Sequence, residues 1–155
     1  MAEHQYGQGS LTALKGVHPD LVMLFKEVLK DIDHTVIQGL RSREEQDRLF
    51  AEGKSKVKGD SPGAKHVLGL ALDVAPYPVV FPENCKTQGE RIKTYGRFYF
   101  FAGYVLGRAK ELGLRVRWGG DWDGDYDFSD QSFDDLVHFE LLTLHLHMLV
   151  ANKTG

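Results

Sequence analysis

The run LGLALDVA, residues 68–75, constrains the fold more than any other part of the chain. Side chains on a strand alternate between its two faces. Alternation puts Leu70, Leu72 and Val74 on one face, read as the core side, and Ala71, Asp73 and Ala75 on the other. An unpaired carboxylate on a mostly apolar strand is costly. Asp73 therefore needs a partner, either a lysine of the preceding loop or a bound cation. His66 lies just before the strand, and Gly69 permits the bend that brings its imidazole back over Asp73. The two alanines beside the aspartate predict an open floor there.

The rest of the chain supports a small mixed fold around this strand. Its 155 residues suit one domain with one core. HPDLVMLFKEVLKDI reads as a helix, with Pro19 at a first helical position and Leu21, Leu24, Phe25, Val28, Leu29 and Ile32 on one face. HTVIQG is a short strand. In RSREEQDRLFAEG, Ser42 and Glu45 have the spacing of a capping box, and Gly53 suits the stop of a second helix. KSKVKGDSPGAK is a polar loop with four lysines, and PYPVVFPENCKTQG is irregular. RFYFFAGYVLGRAKELG reads as the main core helix, with Gly103 and Gly107 marking close packing against a neighbour. LRVRW and LVHFELL are further strands. The first 15 residues read as a loose segment, and the tail TLHLHMLVANKTG is ambiguous. Helices and strands mix without a strict βαβ repeat, which predicts an α+β fold with an antiparallel sheet.

Charge and composition narrow the function. Lys and Arg number 19 against 22 Asp and Glu, a net charge of -3, which does not point to a nucleic-acid partner. Cys85 is the only cysteine, so no intrachain disulfide forms and the chain can fold in a reducing cytoplasm. The start MAEHQYGQGS lacks the pattern of a signal peptide, and no apolar run is long enough to span a membrane. A role outside the cytoplasm would need another route of release. We expect a monomer.

A second cluster of candidate residues lies in DDLVHFE. His138 and Glu140 share one face of a strand, Phe139 and Leu141 share the other, and Asp135 sits at the loop–strand junction. His66, Asp73 and His138 would together make a set of nitrogen and oxygen ligands. Three protein ligands and one open position are what catalytic zinc needs. A water held there has a pKa of about 7. Asp135 is placed to take its proton and pass it to a leaving amine. Each histidine taken alone would be read as structural or exposed.

KHVLGLALDVAPY and DDLVHFEL together resemble the zinc peptidases that act as D-Ala-D-Ala carboxypeptidases and L-alanyl-D-glutamate endopeptidases. The family pattern is S-x-H-x-x-G-x-A-x-D, followed much later by a carboxylate separated from a histidine by two residues. VIQGLRSREEQDRLFAEGKSK and RWGGDW are similar to the phage endolysin branch. The resemblance runs from GVHPDL to HFEL. It implies the α+β fold shared with the hedgehog signalling domain, zinc on His66, Asp73 and His138, and Asp135 as catalytic base. It also implies that Arg41, in GLRS, stabilises the oxyanion or holds a substrate carboxylate. Arg43 falls inside the following helix and is set aside. The implied activity is hydrolysis of the L-alanyl-D-glutamate bond in peptidoglycan stem peptides, by an endolysin that is made in the host cytoplasm and reaches the cell wall by holin-type release. The alternatives are a D-Ala-D-Ala carboxypeptidase or dipeptidase, and a non-catalytic zinc-stabilised binding module. One departure stands out: the pattern's serine is Ala64 here, with Ser61 the nearest substitute.

Between these motifs, Asp121, Asp123, Asp125, Asp127 and Asp130 crowd into one loop. Their spacing resembles the first half of an EF-hand, but the position of its turn glycine is held by Tyr126 and that of its last glutamate by Ser132. The loop is read either as a solvated acidic loop or as a Ca2+ site that positions Asp135. His145 and His147 form an H-x-H pair read either as a metal-binding pair on one strand face or as an exposed tail, and Trp118 and Trp122 either as lining of the substrate cleft or as core or rim packing.

Overall fold

The computed structural model describes residues 3–142. Helices α1 (Gln8–Ala13) and α2 (Pro19–Leu29) precede strand β1 (His34–Gln38). Helix α3 (Arg43–Ala51), strand β2 (Ala71–Pro76) and a 3-10 turn (Pro82–Asn84) follow. Helix α4 (Gln88–Glu111) and strands β3 (Val116–Gly119) and β4 (Asp135–Leu141) complete the described residues. The strands form one antiparallel sheet in the order β1-β2-β4-β3. This is the α+β architecture expected from the sequence.

The core lies between one face of the sheet and helices α2 and α4. From the sheet come Val36, Leu72, Val74, Trp118, Phe139 and Leu141; from the helices come Leu21, Leu24, Phe25, Val28, Phe101 and Val105. Each such side chain contributes about 1.5–3 kcal/mol on burial. Leu72 and Val74 therefore face the core as alternation requires, and Asp73 faces away from it. The floor beside Asp73 is less open than expected, because Ala71 and Ala75 are both fully buried.

Local signals explain the helix ends. His18 Nδ1 accepts from the Asp20 amide ahead of Pro19. Ser42 Oγ accepts from the Glu45 amide, but the Glu45 carboxylate pairs with Arg48, so only half of the capping box forms. The complete box is at Thr87 and Glu90, which starts α4 nine residues ahead of Arg97. Gly89 and Gly96 hid this start from a reading based on propensity. Gly103 and Gly107 do not mark close packing: a Cβ at either would meet open space.

The N-terminal segment also differs from its reading as loose. Residues 8–13 are helical, and Ser10 is buried with its hydroxyl accepting from the Val36 amide. The Tyr6 hydroxyl lies 2.5 Å from His34 Nε2 and 3.1 Å from the Phe25 carbonyl. The segment is tied down by polar contacts to the core elements, which no apolar periodicity announces. The tail that contains His145 and His147 lies outside the described residues.

Candidate active site

Four segments converge on the sheet face opposite the helices. On β2, Asp73 pairs directly with His138 of β4. The segment before β2 returns over the strand through Gly69, whose φ of +70 is a left-handed turn and whose missing Cβ leaves room for the Gly16 carbonyl. That turn delivers His66. The end of β1 delivers Arg41, whose amide donates to the His66 carbonyl at 3.1 Å.

The fourth residue needs an irregularity. Asp135 and His138 are three apart, which on a regular strand would place them on opposite faces. The β3–β4 register shifts between Trp118 and Gly119, so that Gly119 pairs with Asp135. A Cβ on Gly119 would lie 2.3 Å from the Asp135 carbonyl oxygen, so glycine is required there. With this shift, Asp135 and His138 line the same cleft.

The cleft has a volume of about 530 Å³. At its base His66 Nε2, His138 Nδ1 and Asp73 Oδ1 form a nearly equilateral triangle. The nitrogens are 3.2 Å apart, and each is 3.2 Å or 3.4 Å from the carboxylate oxygen. The outer ring nitrogens are engaged elsewhere: His66 Nδ1 lies 2.9 Å from the Gly39 carbonyl, and His138 Nε2 lies 2.9 Å from Glu140 Oε2. A carbonyl and a carboxylate only accept, so each outer nitrogen carries the proton and donates. Both inner nitrogens then present lone pairs to each other and to Asp73 Oδ1, a buried oxygen with no hydrogen-bond partner among the described residues. Such an arrangement calls for a cation at its centre.

The triangle has the dimensions of a zinc site. Ligand atoms at about 2.0–2.1 Å from a tetrahedral zinc stand about 3.3 Å from one another. Protons compete for the same place. Burial opposes charge on His138, but Asp73 and Glu140 outweigh it and push its pKa up to about 9. Burial likewise pushes the Asp73 carboxyl up, yet any positive charge on the adjacent His138 and His66 rings prevails and holds it well below the usual carboxylate range. The donor set fits zinc, a cation that neutral imidazoles and a carboxylate hold well.

Asp135 differs from Asp73. Burial and the neighbouring Asp73 charge raise its pKa, with His138, His66 and Arg41 opposing. Arg41 donates from Nη1 to Gln46 Oε1 at 2.7 Å and from Nη2 to Gln38 Oε1 at 2.6 Å. Both partners are neutral, so the guanidinium charge is not cancelled by a carboxylate. Its Nε is buried without a partner. Arg43, set aside earlier, makes an exposed pair with Asp60 instead.

The walls include residues that sequence reasoning passed over. Gln46 ties the lysine loop to α3, donating to Ser55 Oγ and the Val57 carbonyl. Lys54, Lys56 and Lys65 line that side of the cleft. On the other side Phe133 stacks on Trp122, which lies over the His138 ring at 5.4 Å. The two tryptophans thus separate: Trp118 is core, and Trp122 is cleft wall. Ser61 does not take the place of the missing serine at the cleft, because its Oγ accepts from the Gly63 amide within its own loop.

The acidic loop is a second gathering of carboxylates. Asp121, Asp123 and Asp125 can each bring an oxygen within 4.8 Å of the others. Asp121 is buried and accepts from the Gly124 and Tyr126 amides. Tyr126 has a φ of +69, the left-handed conformation that glycine supplies at the same position of an EF-hand. Asp127 bonds Ser129 and Asp130 bonds Gln131, so these two are engaged within the loop.

An α+β sheet with a His-Asp-His triangle, a carboxyl of raised pKa and an arginine without a carboxylate partner among the described residues, all in one cleft, has the parts of a hydrolase. The sequence profile of the phage L-alanyl-D-glutamate peptidases matches residues 2–142, and the chain belongs to that family. It is 30% identical over 129 residues to the L-alanyl-D-glutamate peptidase of Escherichia phage T5, covering 82% of this chain and 88% of that protein. The fold is similar to the crystal structure of the Serratia marcescens L-Ala D-Glu endopeptidase ChiX. That match has a TM-score of 0.63 and 28% identity, and covers 90% of this chain and 91% of the other. Among the described residues, no helix is long and apolar enough to cross a membrane.

Proposed function

We propose that the protein is a zinc-dependent endopeptidase that cuts the L-alanyl-D-glutamate bond of peptidoglycan stem peptides and lyses bacterial cells. The family supports the bond, and the triangle of His66, Asp73 and His138, with an Asp73 oxygen unpartnered among the described residues, supports the zinc. A zinc ion there would supply Lewis acidity, lowering the pKa of a water to about 7 and polarising the scissile carbonyl. The remaining work falls to the chain. Asp135 takes the proton of the attacking water and returns it to the departing amine, a task suited to a carboxyl whose pKa is raised. Arg41, held in place by Gln38 and Gln46, presents its charge to the oxyanion or to a substrate carboxylate. The lysines of the opposite wall suit an acidic stem peptide.

All these groups come from one chain, so the reading needs no partner subunit to complete the site. The likeness to a phage T5 protein supports synthesis in the host cytoplasm and holin-type passage to the wall. Calcium at Asp121, Asp123 and Asp125 is the regulatory part of the reading; calcium titration with no change in lysis rate would remove it. The catalytic part is tested with purified sacculi. Chelation should abolish hydrolysis, one equivalent of zinc should restore it, and Asp135→Ala should keep zinc but lose activity. Full lytic activity in Asp135→Ala would leave a different base, or a binding module, as the explanation.

A further inference from the structure

We infer that Glu140 and Arg117 are positioning residues that fix the His138 imidazole in the tautomer and orientation needed at the metal site. This rests on the zinc reading above. Glu140 follows His138 by two on β4 and is 3% exposed, so its charge is buried beside the site rather than turned to solvent. One carboxylate oxygen, Oε2, accepts from His138 Nε2 at 2.9 Å. That bond places the ring proton on Nε2 and leaves Nδ1 as the bare nitrogen facing His66 and Asp73. The other oxygen, Oε1, accepts from Arg117 Nε at 3.0 Å and from its Nη2. Arg117 pairs with Glu140 across the β3–β4 ladder, so the backbone sets this contact.

Arg117 also reaches the ring from a second direction. Its Nη1 donates to the Trp122 carbonyl at 3.2 Å, and its guanidinium lies 5.8 Å from the Trp122 ring centre. Trp122 in turn covers the face of His138. The imidazole is thus held at its edge by Glu140 and on its face by Trp122, and Arg117 anchors both. His66 needs no such side-chain pair, because its outer nitrogen bonds the Gly39 carbonyl. Among the described residues, the side-chain partners of the buried Glu140 carboxylate are His138 and the half-exposed Arg117.

The test is zinc affinity, measured by competition with a chromophoric chelator, together with the nitrogen NMR signature of the His138 ring. Glu140→Gln should weaken zinc about 10–100-fold and, at alkaline pH where the metal-free ring is neutral, mix its two tautomers. Arg117→Met, which leaves Glu140 in place, should weaken zinc less than Glu140→Gln. The double variant should lose less than the sum of the two single losses, since Arg117 acts in part through Glu140 and in part through Trp122. Folded Glu140→Gln with wild-type zinc affinity and an unchanged tautomer would overturn the inference, and so would additive losses in the double variant. Wild-type protein that binds no zinc would instead overturn the reading on which the inference rests.

Discussion

His34 and His138 stand on strands of the same sheet and are buried alike, at 3% and 7% exposure. The rings of Tyr6, Phe25 and Phe101 surround His34, which donates from Nδ1 to the Ile32 carbonyl. Burial there pulls its pKa down to about 4, against weaker upward pulls from the Ile32 bond and Asp33. Around His138 stand Asp73, Glu140 and Asp135, and its pKa goes up to about 9 despite burial. One environment keeps the imidazole neutral as a packing unit. The other gathers negative charge around it and attracts a cation, whether proton or metal. Burial is common to both, so the company of carboxylates is what separates a structural histidine from a site histidine.

Substitution should separate the two regions sharply. His138→Ala is expected to have the largest effect, removing both stoichiometric zinc and measurable hydrolysis while the chain stays folded. Metal analysis and circular dichroism check this. Next, Asp135→Asn should lower turnover about 10²–10⁴-fold with zinc retained, read by kinetics on a soluble muropeptide. If zinc is lost as well, Asp135 belongs to the metal set rather than to proton transfer. Arg41→Lys keeps the charge but loses the planar fork held by Gln38 and Gln46. A loss of about 1.5–3 kcal/mol in transition-state binding is expected, about 10–150-fold in kcat/KM.

The smallest effect lies on the aromatic side. The folded pKa of His34 is depressed from 6.5 to about 4. Between those values the unfolded chain binds a proton that the folded chain refuses. Stability from this group is therefore present above about pH 6.5 and is lost as pH falls toward 4, by about 3 kcal/mol at most. Urea unfolding at pH 7 and pH 4.5 should show a shallower acid loss in His34→Gln than in wild type. Hydrolysis at pH 7 should be little changed in that variant.

The sequence makes the same division only in part. Alternation in LGLALDVA placed Asp73 on the correct face, and Gly69 marked the turn that delivers His66. The pairing of Asp73 with His138 was legible as a convergence of two strands. Asp135 was read as the proton acceptor from its place at the loop–strand junction, but what turns it into the cleft is a register shift at Gly119 that periodicity does not encode. Gln38, Gln46 and Arg117 were missed because their roles come from contacts across elements. Glu140 did carry a signal: it shares the strand face of His138, and a carboxylate there needed a partner as much as Asp73 did. The start of α4 and all of α1 were obscured by glycines and polar residues, whose low helix propensity is overridden here by a capping box and by buried contacts to β1.

The central claim is zinc-dependent cleavage of one bond by this cleft. Mass spectrometry of defined muropeptides, digested by zinc-loaded and by metal-free protein, tests it most directly. The account predicts a stem peptide with a free D-glutamate N-terminus, alongside a muramyl fragment ending in L-alanine, from the zinc-loaded protein alone. Release of D-alanine only would contradict the bond, and equal products from metal-free protein would contradict the zinc.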